Sequence, residues 1–392
     1  MGEAYIVSAM RTAGGRRGGR LSGWHPVDLA GTMIDGLVDS TGVAPDAVDD
    51  VILGCVGQVG EQAVNVARNA VLASSLPEAV PGTSVDRQCG SSQQALHFAA
   101  QAVMSGCQDV VVAGGVESMT RVPMGAPLTL AKQADMGLYM SPAIRTRYPA
   151  TELFSQFEGA EMVAEKYGLE RYALDEFALD SHRRAAQAAE AGAFDDEILP
   201  VSVLDPETGG QCMHAVDEGI RFDATRQAIA GVSPLAENGR ISAATASQIC
   251  DGASGVLVVN ENGLRRLGVT PMARVHHMSV IGHDPVIMLE APLPATDRAL
   301  ARTDLSVDDI DLFEVNEAFA PIPLAWLAAT GADPQRMNVH GGAIALGHPL
   351  GASGTRLMTT LVHGLHRHGG RYGLQTMCEG GGMANVTIVE RL

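Results

Sequence analysis

Val110-Val111-Val112-Ala113-Gly114-Gly115 is an unbroken apolar run stopped by two glycines. Three β-branched residues in a row favour extended backbone. The absence of polar alternation means that both faces are buried, as in a strand with helices on either side. Immediately before it, Ser91 to Ser105 carries Ala95, Phe98, Ala99, Ala102 and Val103 at helical spacing. The same pairing recurs along the chain. Gly255 to Asn260 reads as a buried strand after a helix-compatible stretch from Ala243 to Gly252, and Thr387-Ile388-Val389 reads as a last strand. Such alternation predicts βαβ units and an α/β fold on a largely parallel sheet.

An internal echo extends this reading. Val48-Asp49-Asp50-Val51-Ile52-Leu53 resembles Val307-Asp308-Asp309-Ile310-Asp311-Leu312 at a spacing of 259, and the same spacing carries Cys89 onto His348. Each position precedes a helical pattern and then a strand ending in glycines, Gly114-Gly115 in one case and Gly380-Gly381-Gly382 in the other. A six-residue match can arise by chance, but the shared register at two reactive residues favours duplicated halves. Between the halves, Ser118 to about Gln248 differs in texture. It holds Pro123, Pro127, Pro142 and Pro149 with Met124, Met136 and Met140, and two amphipathic helices follow, Gly159 to Tyr167 and Arg171 to Gly192. An insertion of this length reads as a cap on the core. Its methionines either fill gaps or make an adaptable wall for an acyl chain.

Composition narrows the function. The 392 residues carry 27 Lys+Arg against 45 Asp+Glu, a net charge of −18, which argues against nucleic acid or an anionic membrane as partner. Lys132 and Lys166 are the only lysines, so Schiff-base chemistry has few candidates. The six cysteines, Cys55, Cys89, Cys107, Cys212, Cys250 and Cys378, form no CxxC pair, so neither a zinc knuckle nor a disulfide framework is expected. No secretory h-region precedes Arg11, and no apolar stretch is long enough to span a bilayer. The expectation is a soluble cytoplasmic protein with no metal.

Four segments set reactive side chains among glycines. In Asp86-Arg87-Gln88-Cys89-Gly90-Ser91-Ser92 a thiol opens a helix. There the dipole favours a thiolate and the free backbone N–H can serve an oxyanion, although a lone cysteine is more often structural. Asn338 to Gly354 holds His340 and His348, and Pro349 keeps His348 extended, so its imidazole could act as base. Cys378 at a strand end before three glycines could shuttle a proton at near-neutral pH. Asn316, in Glu314-Val315-Asn316-Glu317-Ala318-Phe319, could fix a water or a ligand oxygen.

Together, Cys89 at its Gly-Ser-rich helix start, Asn316-Glu317-Ala318-Phe319, Gly341-Gly342-Ala343-Ile344-Ala345-Leu346-Gly347-His348-Pro349 and Cys378-Glu379-Gly380-Gly381-Gly382 closely resemble the thiolase family, in the family's order across nearly the whole chain. The resemblance implies two five-stranded halves in a five-layer αβαβα core with an inserted loop domain. The expected boundaries are 1–118 for the first half (completed by about 249–270), 119–248 for the insertion and 271–392 for the second half. It implies reversible thiolysis of 3-oxoacyl-CoA, with Cys89 as nucleophile, His348 activating it and Cys378 moving the α-proton. His348 with a water on Asn316 would hold one oxyanion, and the N–H groups of Cys89 and Gly380 the other. Ser247 matches a serine near the pantetheine, and Arg221 an arginine near the nucleotide, with a solvated surface charge as the alternative. Coenzyme A is then a co-substrate and no cofactor stays bound. A homodimer or homotetramer is expected. Where short-chain members carry His-Met-Gly, this chain reads Phe154-Ser155-Gln156-Phe157-Glu158-Gly159, and Cys250 replaces the usual asparagine before Asp251-Gly252-Ala253. Longer, branched or ring-bearing acyl chains are therefore expected. The alternatives are acetoacetyl-CoA synthesis and a non-catalytic acyl-CoA-binding protein. A decarboxylating condensing enzyme is disfavoured by the second cysteine.

Overall fold

The computed structural model describes residues 2–205 and 208–392. Among the described residues the core sheet has ten strands: nine along its path, β1 (Tyr5–Arg11), β2 (Asp50–Gly54), β3 (Gly82–Val85), β4 (Val110–Ser118), β5 (Cys250–Val259), β6 (Ala273–Gly282), β7 (Leu312–Val315), β8 (Tyr372–Glu379) and β9 (Met383–Arg391), and a two-residue strand, Gly15–Arg16, on the start of β5. Eight helices matter for the site: α1 (Pro26–Thr41), α2 (Val66–Leu72), α3 (Ser91–Met104), α4 (Gln156–Lys166), α5 (Arg171–Glu190), α6 (Pro292–Thr303), α7 (Pro321–Thr330) and α8 (Ser353–His368).

The strand order is β7-β8-β9-β6-β1-β5-β4-β2-β3. In the first half β3–β2 and β2–β4 pair parallel, whereas β4–β5 and β5–β1 pair antiparallel. The second half repeats the pattern. Met337 bridges β7 in parallel, β7–β8 is parallel, and β8–β9 and β9–β6 are antiparallel. The two half-sheets touch edge to edge where Tyr5 and Ile6 of β1 meet Arg274 and Ala273 of β6. The expected largely parallel sheet is thus corrected to a mixed one: β5 and β1 close the first half from remote parts of the chain, and in the second β9 turns straight back from β8 through Gly380-Gly381-Gly382. Nor is there a helix over 243–252, where Ala246 bridges Phe319 and β5 begins at Cys250.

Layers follow from what each helix touches. α1 and α2 cover one face of the first half-sheet, and α6 and α7 cover the far face of the second. α3 and α8 pack against each other and against strands of both halves, forming the middle layer. A buried core there joins Val111 and Ala113 of β4 to Leu96 and Ala99 of α3, Met358 and Leu361 of α8, and Val389 of β9. The order is αβαβα. β4 is buried at every residue because helices lie on both its sides.

Duplication is real, but its register is not the expected one. Asp49 Oδ2 accepts from the N–H groups of Asp109 and Val110 at 2.7 and 2.9 Å. Asp311 Oδ2 accepts from those of Arg371 and Tyr372 at 2.6 and 2.9 Å. The matching spacing is therefore 262 (49 to 311, 109 to 371), which pairs Ser91 with Ser353, Glu117 with Glu379, and Cys89 with Gly351 rather than His348. The shift of three arises because Val307-Asp308-Asp309 mimics Val48-Asp49-Asp50 in letters but not in hydrogen bonds.

Candidate active site

Cys89 stands just before the cap of α3, in a turn forced by Gln88 at φ +51°. The Ser91 hydroxyl ties this turn, donating to Gln88 O at 2.6 Å and accepting from Arg87 N at 2.9 Å. Gly90 cannot be larger, since a Cβ there would lie 1.9 Å from Glu379 Oε1. The second half thus presses on the Cys89 turn of the first. The converse contact also exists: Glu117 of β4 accepts from Gly351 N at 2.9 Å, beside the start of α8. Glu117 also accepts from Val56 N, Gly57 N and Gln62 Nε2 at 2.8–3.0 Å, which fixes the loop after β2.

The expected dipole-lowered thiol is not what burial produces. Removal from water, reinforced by Glu379, pushes the Cys89 thiol up to about 12, although the N–H groups of Cys89 and Gly380 facing it act the other way. Desolvation outweighs the end of one helix here. Burial likewise holds Cys378 well above the usual thiol range, with Cys89 beside it as the next cause. The two thiols are neighbours at the junction of the halves.

His348 is buried in the turn after Gly347, whose φ of +87° and closeness to Cys250 Sγ require glycine. Ser353 Oγ donates to Pro349 O at 2.8 Å, so its contact of 2.5 Å with His348 Nδ1 leaves Ser353 as acceptor. The proton then sits on Nδ1 and the lone pair on Nε2, which lies 3.4 Å from Asn316 Nδ2. Burial and then the Arg356 charge push His348 down to about 3, so the ring is neutral at ordinary pH. Asn316 follows β7, and its N–H donates to Thr376 O at 3.1 Å, two residues before Cys378 on β8. Its Oδ1 is buried without a protein partner. Leu350, two residues past His348, packs on the cluster of Cys89, Leu357 and Met377.

A cavity of about 750 Å³ opens over Cys89 and Gly380. Its walls include Met119, Met124, Leu128, Phe154, Phe157 and Met288. The expected methionine wall is partly present. Met124 lines the cavity, but Met136 is exposed and Met140 is buried elsewhere. Phe154 to Phe157 line it as well, and Phe157 packs edge-on against Phe319 with ring centroids 5.6 Å apart.

Ser247 and Arg221 lie outside this lining. Ser247 is half-buried and donates its N–H to Ala318 O at 2.9 Å, beside the Asn316 segment. Arg221 is exposed, and its N–H donates to His182 Nδ1 at 3.2 Å. Sequence reasoning missed Ser353, Glu117 and Arg356. A carboxylate closing the buried run Val110 to Val116 was the available signal for Glu117; Ser353 and Arg356 gave none beyond their places in an apolar helix. Glu317, beside Asn316, is a structural brace. It accepts from Ser181 Oγ, Asn338 Nδ2 and Ile344 N at 2.7–3.1 Å. Among the described residues there is no group of three or more His, Cys, Asp or Glu side chains that could hold a metal ion, and no helix long and apolar enough to cross a membrane.

Two stacked halves with a buried Cys89–Cys378 pair and a neutral histidine held by an asparagine define an acyl-transferring enzyme, and the chain belongs to the thiolase family. The model of the thiolase N-terminal domain matches residues 4–262 and that of the C-terminal domain matches 269–391. The chain is 52% identical to a steroid 3-ketoacyl-CoA thiolase, FadA6, of Mycobacterium tuberculosis, covering 100% of this chain and 95% of the relative. It is 42% identical to a beta-ketoadipyl-CoA thiolase of Escherichia coli over 100% of both. The crystal structure of the Bacillus anthracis acetyl-CoA acetyltransferase superposes with a TM-score of 0.91 at 36% identity, covering 100% of this chain and 99% of that one. Thiolases use coenzyme A as a substrate.

Proposed function

We propose that this thiolase cleaves bulky 3-oxoacyl-CoA thioesters with coenzyme A, through an acyl group on Cys89. Cys89 Sγ attacks the 3-keto carbon while its proton passes to His348 Nε2. The N–H groups of Cys89 and Gly380, which both face Cys89 Sγ, hold the oxyanion that forms on the attacked carbon. The C2–C3 bond then breaks, and the acetyl-CoA carbanion takes the Cys378 proton. Coenzyme A attacks the acyl-cysteine and gives its proton to the Cys378 thiolate. The Cys89 thiolate leaves and recovers its proton from His348. The same oxygen stays at those N–H groups when coenzyme A attacks, while His348 and a water on Asn316, whose unpartnered Oδ1 offers that water an acceptor, hold the enolate oxygen of the departing acetyl-CoA. Every proton is returned, so no resident cofactor is required.

The observation that carries the substrate class is the 750 Å³ cavity walled by Phe154, Phe157 and Met288 above Cys89. The relatives named for steroid and ketoadipyl thioesters support it. Acetoacetyl-CoA cleavage or synthesis is the second reading, favoured by the likeness to the acetyl-CoA acetyltransferase. A panel of 3-oxoacyl-CoA substrates of graded size, assayed with coenzyme A, separates them. A kcat/KM maximum at acetoacetyl-CoA refutes the bulky-substrate reading.

We further propose that Ser247 meets the pantetheine and Arg221 the nucleotide of coenzyme A. The inserted domain would span about 119–248, between halves at 1–118 with 249–270 and at 271–392. The enzyme would work in the cytoplasm as a homodimer or homotetramer.

A further inference from the structure

One side of the acyl cavity is made by two segments that share no sequence neighbourhood: the start of α4, with Gln156 and Phe157, and the loop 283–290, with Met288. Both would be free to move apart were nothing joining them. Their backbones touch closely, since a Cβ on Gly159 would stand 2.8 Å from Ile287 O. Met288 itself is buried in the left-handed region at φ +54°, a conformation that a non-glycine residue keeps only when its surroundings impose it.

Ala160 and Val163 of α4 share a buried apolar core with Met288 and Leu289, and Glu290 adds a polar tie to it. Glu290 is buried, and Oε1 accepts from Lys166 Nζ at 2.5 Å and from Tyr167 OH at 2.6 Å, both at the C-terminal end of α4. Its Oε2 lies 3.4 Å from His283 Nε2, at the other end of the same loop. His283 in turn donates its N–H to Gly382 O at 2.6 Å, in the glycine run that follows Cys378. One carboxylate thus ties the insertion's helix, both ends of the Met288 loop and the catalytic glycine segment. Lys166 is one of two lysines in the chain.

We propose that Glu290 is a specificity-determining positioning residue: by clamping α4 to the Met288 loop it sets the width of the acyl cavity. It touches neither thiol nor substrate, and acts through Phe157 and Met288. The inference rests on the cavity being the acyl site.

The test compares kcat/KM for a ring-bearing 3-oxoacyl-CoA with that for acetoacetyl-CoA in the full-length enzyme, Glu290→Gln, Lys166→Met and Tyr167→Phe. Lys166 is about half exposed (54%), so its variant keeps a folded reference if Glu290→Gln does not fold. Releasing the clamp lets the wall recede. The ratio of bulky to short substrate should rise about fivefold or more, through a higher KM for acetoacetyl-CoA with its kcat within about threefold. Because both substitutions open one clamp, the double variant Glu290→Gln/Lys166→Met should shift the ratio no further than Glu290→Gln alone. A lower melting temperature with an unchanged ratio, or an equal loss of kcat on both substrates, overturns the proposal. Failure of the substrate reading shows separately, as a wild-type maximum at acetoacetyl-CoA.

Discussion

Because burial holds the Cys89 thiol up at about 12 and His348 down at about 3, no standing thiolate–imidazolium pair forms near neutral pH. The proton has to move as Sγ attacks, when the substrate carbonyl takes over the negative charge. Alkylation of the free enzyme by iodoacetamide should therefore accelerate steadily from about pH 6 to about pH 9, as the thiolate fraction grows. A plateau in the inactivation rate below about pH 8 would contradict this. The two thiols should also separate by role. Cys378→Ser should keep acyl exchange between coenzyme A thioesters on Cys89 but lose thiolysis by about 10²–10⁴-fold or more, whereas Cys89→Ser loses both. If Cys378→Ser blocks exchange as fully as Cys89→Ser, the assignment is wrong. Glu379 gives a signed pH effect. Burial holds its carboxyl well above the usual range, so the stability it contributes is complete below the unfolded value and is lost as pH rises through the folded one. Glu379→Gln should therefore gain in Tm relative to wild type between about pH 5 and about pH 8; a constant difference across that range would mean that Glu379 does not titrate there. The identity of these residues was legible from motif and glycine context. Their protonation was not, since the neighbours that desolvate them lie on other segments.

At the scale of elements, the middle helical layer holds the site together. A Cβ on Gly354 of α8 would lie 2.1 Å from the backbone nitrogen of Gln93 on α3, so the two helices approach as closely as glycine allows. Gly354→Ala should cost about 1–3 kcal/mol in urea unfolding and lower kcat, because it pushes the His348 turn from the Cys89 turn. Unaltered unfolding would show that the helices can separate freely. Helix α3 and strand β4 were legible because their patterns are local. The helix expected at 243–252 failed for a complementary reason: its small apolar residues fit either conformation, and pairing of Ala246 with Phe319 and of β5 with β4 decides for extension. Antiparallel closure of the first half was equally invisible, as β1 meets β5 across more than two hundred residues.

At the scale of the whole molecule, β3 ends the sheet with one edge unpaired among the described residues, and Val64, Leu72 and Phe98 stand exposed in the same half. Unpaired edges with apolar neighbours favour association, so light scattering at micromolar concentration should give a multiple of 40.9 kDa. A single 40.9 kDa particle would refute the oligomer. Duplication was also readable at this scale, but three residues out of register, because acidic letters repeat around Asp49 and Asp311 while only those two cap the next strand. The sequence by itself determined the kinds and order of the reactive residues and the buried strand at Val110, since each is written in neighbouring side chains. Only the tertiary structure decided the strand directions, the true register of the halves, the neutral thiol and imidazole, and the clamp at Glu290. Each of those depends on desolvation or hydrogen bonds from groups remote in the chain, which no local pattern encodes.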